Sequence, residues 1–281
     1  MPASSAHRHA VLCSSTVPNA SATLTVWATA WLAGAAAPDD LLDALSTWAP
    51  LQRVHAADRV AAGATGLPEP HAGTAGAATL LASLRRAPPD DVRLVLPATG
   101  DVRGLPAGTP FASAALIAGE GVLVPTAELG LVPAYEGRET LRWAVFSVPA
   151  DVPSAEHLGL GDAEHALRTA VRDSARALAE LEVAREDIDV RGRIAATLRA
   201  RPQPDWPEGT PPRALRVLDQ AEHIAAILTA AAADTPGGAQ SASAAIAREE
   251  LLRPLWSDVR MARRAAVDES VRVLAAGRSQ A

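Results

Sequence analysis

The chain contains no lysine, one cysteine and few aromatic residues, and each scarcity excludes a class of chemistry. Without lysine, the protein cannot form a Schiff base with a carbonyl substrate or use lysine as a nucleophile. The P-loop motif G-x-x-x-x-G-K-[ST] is excluded for the same reason. A lone Cys13 excludes an intramolecular disulfide and a zinc site built on several cysteines. Nothing in the sequence marks Cys13 as an activated thiol.

Basic charge is also scarce, which bears on partners. The formal net charge is −6 and the isoelectric point is about 5.7, so we expect no binding to nucleic acid, which requires a basic footprint. Histidines do not cluster either: His7 and His9 are too few for a metal site. In the pairs Glu164-His165 and Glu222-His223, adjacent residues point in different directions on a helix. We expect no metal and no cofactor.

The apolar stretch at residues 20–32 is too short and too rich in serine and threonine to favour a membrane span. Leu24, Trp27 and Trp31 recur at helical spacing. A signal peptide ending near residues 35–37 is the second interpretation, since small residues mark cleavage sites. A buried helix of a soluble domain is the interpretation we favour. It predicts a cytoplasmic protein that does not enter a membrane.

The segment 91–149 contains the best strand signals. Residues 92–96, 121–124 and 141–148 each read as a strand, and in the last of these LRWAVFSV alternates buried and exposed positions. A turn is expected at residues 135–138, and residues 10–15 could add a further strand. The close spacing indicates a meander and hence an antiparallel or mixed sheet. The predicted class is α+β, with an N-terminal sheet and helices followed by a C-terminal antiparallel helical bundle.

A glycine-rich loop at residues 100–109 follows the first of these strands and precedes a short helix at residues 111–118. Thr109 occupies the N-cap position and Pro110 the first helical position. Backbone N–H groups at such a helix start can bind an anion, and arginine adds a charge-assisted contact. The candidate ligand-binding residues are Gly100, Asp101, Arg103, Gly104 and Thr109, with Arg138 and Arg142 converging from the last strand.

The alternative is a surface loop whose glycines serve turns, and we favour it because the loop matches no established phosphate motif. Asp101, or Glu136 on the facing turn, would be the general base if the loop were catalytic. A second polar group, His55, Asp58 and Arg59, lacks an accompanying nucleophile motif. Catalytic residues are therefore unknown, and whether the protein is an enzyme stays open.

After residue 150 the pattern becomes helical. We predict an α/β domain at residues 1–150, a linker at 151–161 and a helical bundle at 162–281. In the first helix, Leu167, Val171, Ser174, Leu178 and Leu181 form a heptad-like stripe.

Three further features of this half carry predictions. The proline-rich insert at residues 202–212 is expected to pack Trp206 on the bundle. Pro254 should kink or split the last helix. The cluster Arg260, Arg263 and Arg264 is expected to be a solvated, salt-bridged face.

The segments VLPATGDVRGLPAGTPF, LRWAVFSVP and PPRALRVLDQA resemble a family of uncharacterised proteins from high-GC actinobacteria. The resemblance covers most of the chain from about residue 20 onward, and it implies no particular activity. Two functions therefore compete. The first is a non-enzymatic interaction or regulatory protein that binds a protein partner, or itself, through the helical bundle. The second is an enzyme or binding protein for a small anionic ligand at residues 100–109.

Overall fold

The computed structural model describes residues 19–152, 157–180, 190–232 and 239–277. The strand predicted at residues 10–15 lies outside them. The chain forms two compact units. The first comprises the described residues of Met1–Glu156, Pro202–Pro211 and Val267–Ala281, and the second those of His157–Arg201 and Pro212–Ala266. The predicted division at residues 151–161 stays a prediction.

The elements confirm the α+β class. Those of the N-terminal part are, in order, α1 (Ala20–Leu32), α2 (Pro38–Ser46), β1 (Leu51–Ala56), α3 (Arg59–Thr65), β2 (Ala75–Gly76), α4 (Ala77–Leu84), β3 (Arg93–Val95), α5 (Pro110–Ala118), β4 (Gly121–Val124), β5 (Leu129–Glu136) and β6 (Thr140–Ser147). Those of the C-terminal part are α6 (Leu160–Glu180), α7 (Val190–Ala200), α8 (Pro212–Ala232) and α9 (Ala239–Gly277).

The described strands form one mixed sheet in the order β2-β1-β6-β5-β4-β3. Strands β3 to β6 form the predicted antiparallel meander. Strand β1 pairs with β6 in parallel, with His55 opposite Ala144. The predicted turn is shorter than expected, because β5 continues through Glu136. Gly137, with φ of 71°, begins the reversal.

Both faces of the sheet are covered. Trp143 and Val145 of β6 face one cluster, which also contains residues of α1, α2 and α4. Val132 of β5 faces the other cluster, together with Phe111 and Ala115 of α5. Gly130 lies beneath the Phe111 ring, where any Cβ atom would clash. The two-residue alternation of β-strands thus divides the apolar residues between two cores.

Helix α1 is buried on all sides, which confirms the interpretation of residues 20–32 as a buried helix. Two of its hydroxyl groups are satisfied within the helix, since Thr25 Oγ1 donates to the Ser21 carbonyl at 2.7 Å and Thr29 Oγ1 to the Thr25 carbonyl at 2.9 Å, and Thr23 Oγ1 accepts from the Trp48 indole N–H at 2.9 Å. This pairing lets polar side chains enter an apolar core. Across the described ranges, no helix is long and apolar enough to cross a membrane.

The second unit is helical. Ala163 and Leu167 of α6 are buried, as are Val217 and Ala221 of α8. Helix α9 is continuous through Pro254, so the predicted split does not occur. Its residues from Val267 onward belong to the first unit.

One prediction about the C-terminal part is wrong, and another holds in part. Trp206 packs against Val267, Val271 and Leu274 of α9, as predicted, but the same cluster contains Val26 of α1 and Leu94 of β3, and all of these residues belong to the first unit. There the Trp27 indole N–H donates to the Asp205 carbonyl at 2.9 Å. Arg263 and Arg264 are each only 7% exposed, so they do not form a solvated face.

Candidate functional site

The glycine-rich loop consists of two successive tight turns. In the first, Ala98 and Asp101 exchange backbone hydrogen bonds of 2.9 and 2.8 Å. In the second, the Leu105 N–H donates to the Val102 carbonyl at 3.2 Å. Gly100 and Gly104 hold the third position of their turns with φ of 84° and 78°, a conformation that glycine adopts without strain. Both glycines therefore have a backbone role.

Arg103 and Asp101 are brought together. The Arg103 Nε and Nη2 atoms donate to the two Asp101 carboxylate oxygens at 2.8 and 2.9 Å. This fork geometry is the strongest way for a guanidinium to bind a carboxylate. An incoming anion would have to compete with Asp101 for Arg103.

Thr109 is also engaged by the loop. Its hydroxyl accepts a hydrogen bond from the Ala112 N–H at 3.1 Å and donates to the Pro106 carbonyl at 2.8 Å. Pro110 begins α5, and Gly119 ends it in the left-handed conformation. The predicted N-cap, helix and C-cap are all confirmed.

Arg138 and Arg142 lie at the end of the sheet from which the loop follows β3. The strand registers place the end of β3 in line with Gly121, Val132 and Ala144. Strands β4 and β5 lie between β3 and β6, which corresponds to about 14 Å at about 4.8 Å per strand. Arg142 Nη1 pairs with Glu136 Oε1 at 2.7 Å, and Arg138 is exposed in the hairpin turn.

The polar side chains of the candidate site that are described above, apart from the exposed Arg138, each have a partner within the protein. Asp101 and Arg103 bind each other, Thr109 caps a helix, and Arg142 binds Glu136. Within the described ranges, no group of three or more histidine, cysteine, aspartate or glutamate side chains could hold a metal ion. Ligand binding at the loop stays a prediction.

The polar trio His55, Asp58 and Arg59 does not form one site. Asp58 caps α3 by accepting from the Ala61 N–H at 2.8 Å, and it also accepts from the Ser147 N–H and Oγ at 2.9 and 3.0 Å. Burial alone would raise the pKa of Asp58, but these hydrogen bonds outweigh it and hold the pKa below its usual value. Arg59 is exposed.

The His55 side chain lies on the face of the sheet opposite to the Asp58–Ser147 hydrogen bonds. It pairs with Ala144, whereas Ser147 follows the alternation of Trp143 and Val145 on the opposite face. A serine–histidine relay is therefore not formed. His55 is 7% exposed. Burial lowers its pKa, the charge of Arg142 lowers it further, and Glu136 opposes the shift.

Sequence reasoning missed a buried carboxylate in the first unit. Glu120 is 1% exposed, and its Oε2 accepts from the Ser21 N–H in the first turn of α1 at 2.8 Å. The partial positive charge of a helix N-terminus stabilises such a carboxylate. The available signal was a single acidic residue between two glycines, immediately before the apolar strand β4.

A second buried carboxylate lies in the helical unit. Glu222 is 4% exposed. Its Oε2 accepts from Arg263 Nη2 at 2.7 Å and lies 3.6 Å from Arg201 Nε. The available signal was a single acidic residue directly after Ala221 and shortly before the apolar residues Ile224 and Ala225. Its partners come from distant helices and could not be read from spacing.

The geometry defines a two-part α+β protein: a mixed sheet between helices with self-contained loop contacts, and a helical unit with a buried ion pair. Sequence comparisons match two successive stretches of the chain. Residues 21–157 match the Rv1486c-like protein, N-terminal domain, and residues 161–264 match the Rv1486c-like protein, C-terminal domain. The chain belongs to the Rv1486c-like family, which confirms the resemblance to uncharacterised actinobacterial proteins.

Mycobacterial proteins are similar over most of their length. Uncharacterized protein Rv1486c of Mycobacterium tuberculosis is 45% identical over 275 residues, covering 88% of this chain and 95% of the relative. Uncharacterized protein ML1804 of Mycobacterium leprae is 44% identical over 286 residues, covering 88% and 96%. Uncharacterized protein MAV321 of Mycobacterium avium is 38% identical over 294 residues, covering 88% and 95%. No solved structure matches the chain.

Proposed function

We propose that the protein works by binding a protein helix, from a partner or from a second copy of itself, along helix α6. The observation that carries this proposal is the uneven burial of the α6 stripe. Ala163 and Leu167 are buried within the unit, whereas Val171 and Ser174 are partly exposed. Among the described side chains of the stripe, burial therefore decreases from Leu167 to Ser174, and Leu178 and Leu181 lie outside the described side chains.

The opposite face of α6 is suited to water. Arg168, Arg172 and Arg176 are exposed there. Arg168 pairs with Glu164, which also accepts from Arg213 Nη2 at 2.9 Å. Hydrogen bonding from Arg213, with the nearby charge of Arg168, holds the pKa of Glu164 below its usual value against a small opposing effect of burial. An apolar stripe beside a charged face is the pattern by which helices pair.

Two single substitutions on α6 test the proposal. Val171→Glu places a charge on the open stripe, and Arg172→Glu, one residue on, places the same charge on the solvent face. A light-activated cross-linker at position 171 in cells should give a discrete covalent product, either a dimer of this chain or one partner identified by mass spectrometry. The same cross-linker at position 172 should give far less product.

Sedimentation equilibrium separates the two occupants. Dimerisation that Val171→Glu abolishes and Arg172→Glu preserves assigns the stripe to a second copy. A monomer at all concentrations, with a discrete cross-link to another protein, assigns it to a partner. A monomer with equal, diffuse cross-linking from positions 171 and 172 contradicts the proposal.

A cytoplasmic location stays a prediction, which fractionation of cells tests.

A second candidate is a small anionic ligand at residues 100–109. It is favoured by the position of Arg103, which lies between two glycine turns just before the first turn of α5, and it requires that the anion displace the Asp101 carboxylate from Arg103. A thermal-shift screen should include nucleotides, sugar phosphates, acyl-CoA and dicarboxylates. A ligand at about a hundred times its Kd adds about 2.7 kcal/mol of stability. The shift should vanish in Arg103→Ala and persist in Arg59→Ala, which removes an exposed arginine of the same unit. A flat screen leaves the loop structural.

A further inference from the structure

The ion pair inside the helical unit combines two arginines with one carboxylate. Glu222 lies in the middle of α8, and both Arg201, immediately after α7, and Arg263 of α9 approach its Oε2 atom. The distances are 3.6 Å from Arg201 Nε and 2.7 Å from Arg263 Nη2. These three side chains together carry one net positive charge in a largely buried place.

Arg263 has donor capacity beyond this pair. Its side chain is 8% exposed. The buried Nε–H finds no hydrogen-bond acceptor in the part of the chain that the structure describes. A buried guanidinium donor without an acceptor is energetically unfavourable. An oxyanion would supply the acceptor, and its charge would suit a guanidinium that offers several N–H groups in one plane.

Arg201 provides access to this place. Its side chain is 23% exposed, compared with 5% for Glu222. The Arg201–Glu222 distance of 3.6 Å exceeds the 2.7 Å of the Arg263 contact. Arg201 is therefore the partner that is more weakly held and nearer to water, and an anion arriving from solvent would meet it first.

We propose that Arg201 and Arg263 form a binding site for a compact oxyanion of the phosphate type, beside Glu222. This function is independent of the helix-binding stripe on α6. The shared chemistry fits both inorganic phosphate and the phosphate group of a small ester. Arginine is suited to both, since its guanidinium matches the oxygen geometry of phosphate.

The experiment titrates the full chain with inorganic phosphate by calorimetry at constant ionic strength and low millimolar phosphate. At that concentration the general stabilising effect of kosmotropic salts is small. Arg201→Gln removes one arm of the site. Arg199→Gln is the matched control, because Arg199 is exposed and contacts only its own helix, through the Ala195 carbonyl at 3.1 Å.

Wild type and Arg199→Gln should bind phosphate equally, and Arg201→Gln should bind it roughly ten- to hundred-fold more weakly. A second titration uses glycerol 3-phosphate in place of inorganic phosphate. Binding of both ligands indicates a site with room for the glycerol group of an ester, whereas binding of inorganic phosphate alone indicates a site for the free anion. Absence of phosphate binding by the wild type, or equal binding by Arg201→Gln, overturns the proposal. Both substitutions lie at a partly exposed helix end, so the comparison does not depend on a core variant that fails to fold.

Discussion

Buried carboxylates are satisfied in different ways in the two units. In the first unit they accept from backbone N–H groups: Glu120 from Ser21 and Asp91 from Thr126, with Arg93 Nη2 a further 3.5 Å from Asp91. The half-buried Asp58 likewise accepts from the Ala61 and Ser147 N–H groups. In the second unit Glu222 binds the side chains of Arg263 and Arg201. The charge is the same, but the donors differ.

Secondary structure explains the difference. A helix leaves backbone N–H groups free only in its first turn, and Glu222 lies well inside α8, where every N–H is used within the helix. The first unit consists of short elements with many ends, so free N–H groups lie close to its acidic residues. A helical unit that buries a carboxylate must therefore obtain donors from side chains.

The largest effect is expected when the arginine side of this contrast is broken. Arg263→Leu removes the guanidinium that lies 2.7 Å from the buried Glu222 carboxylate, which should lower the free energy of unfolding by about 3–5 kcal/mol. Urea unfolding followed by circular dichroism measures the loss, and hydrogen exchange should locate it in α8 and α9.

The double variant Glu222→Leu with Arg263→Leu is the control. It removes the charges of both and should recover most of the stability, since well-packed apolar residues replace buried ion pairs at little or no loss. If the double variant were as unstable as the single one, lost packing rather than an unpaired charge would be the cause.

The second effect concerns the backbone side. Glu120→Ala leaves the buried Ser21 N–H without its carboxylate and should lower stability by about 2 kcal/mol. Glu120→Gln keeps a carbonyl oxygen in place and should lose clearly less. Glu222→Gln should lower stability more than Glu120→Gln does, because it removes the negative charge that Arg263 and Arg201 face. Equal losses for the two glutamine variants in urea unfolding would contradict the contrast.

Local chemistry made much of the fold predictable. The boundaries of α5 followed from Thr109, Pro110 and Gly119, whose capping roles act over a few residues. The faces of β6 followed from alternation, with Trp143 and Val145 buried as expected. The turns at Gly100 and Gly104 explain why the loop is rich in glycine. The preference of glycine for such turns is a local property, and the interpretation that these glycines serve turns therefore followed from the sequence.

Long-range partners could not be predicted. Glu222 and Arg263 are 41 residues apart, and nothing in the periodicity of α9 shows that its arginines point inward. Trp206 packs against the last helix as predicted, but its packing against α1 could not be predicted, because Trp27 and the Asp205 carbonyl to which it donates are 178 residues apart. In both cases the apolar or charged character was visible, but the partner depended on tertiary packing.

A third, smaller effect tests side-chain capping at a backbone end of the first unit. Thr109→Ala removes the acceptor of the Ala112 N–H and should lower stability by about 1 kcal/mol. Thr109→Ser keeps the hydroxyl and should lose little. Thermal unfolding compares the variants. If Thr109→Ala were neutral, the start of α5 would not depend on this cap, and the hydroxyl would be available for another role at the loop.

The smallest effect is expected from His55, a buried base whose Nδ1 has no hydrogen-bond partner among the described residues. Its pKa is lowered in the folded protein, by burial first and then by Arg142. As pH falls through about 6.5, the unfolded chain therefore takes up this proton before the folded one, and stability decreases. Above that pH both states are neutral at His55 and the contribution is constant.

The urea midpoint measured from about pH 8 to about pH 5 should therefore fall on acidification, over the range in which histidine titrates. His55→Gln should flatten part of this fall, whereas His71→Gln, at an exposed position of the same unit, is the matched control and should leave it unchanged. Asp58 acts in a separate window: its lowered pKa gives stability that is lost only below about pH 4. If the urea midpoint of His55→Gln depended on pH as that of the wild type does, the fold would tolerate the protonated His55 ring. A buried charge at this position would then need neither a backbone nor a side-chain partner.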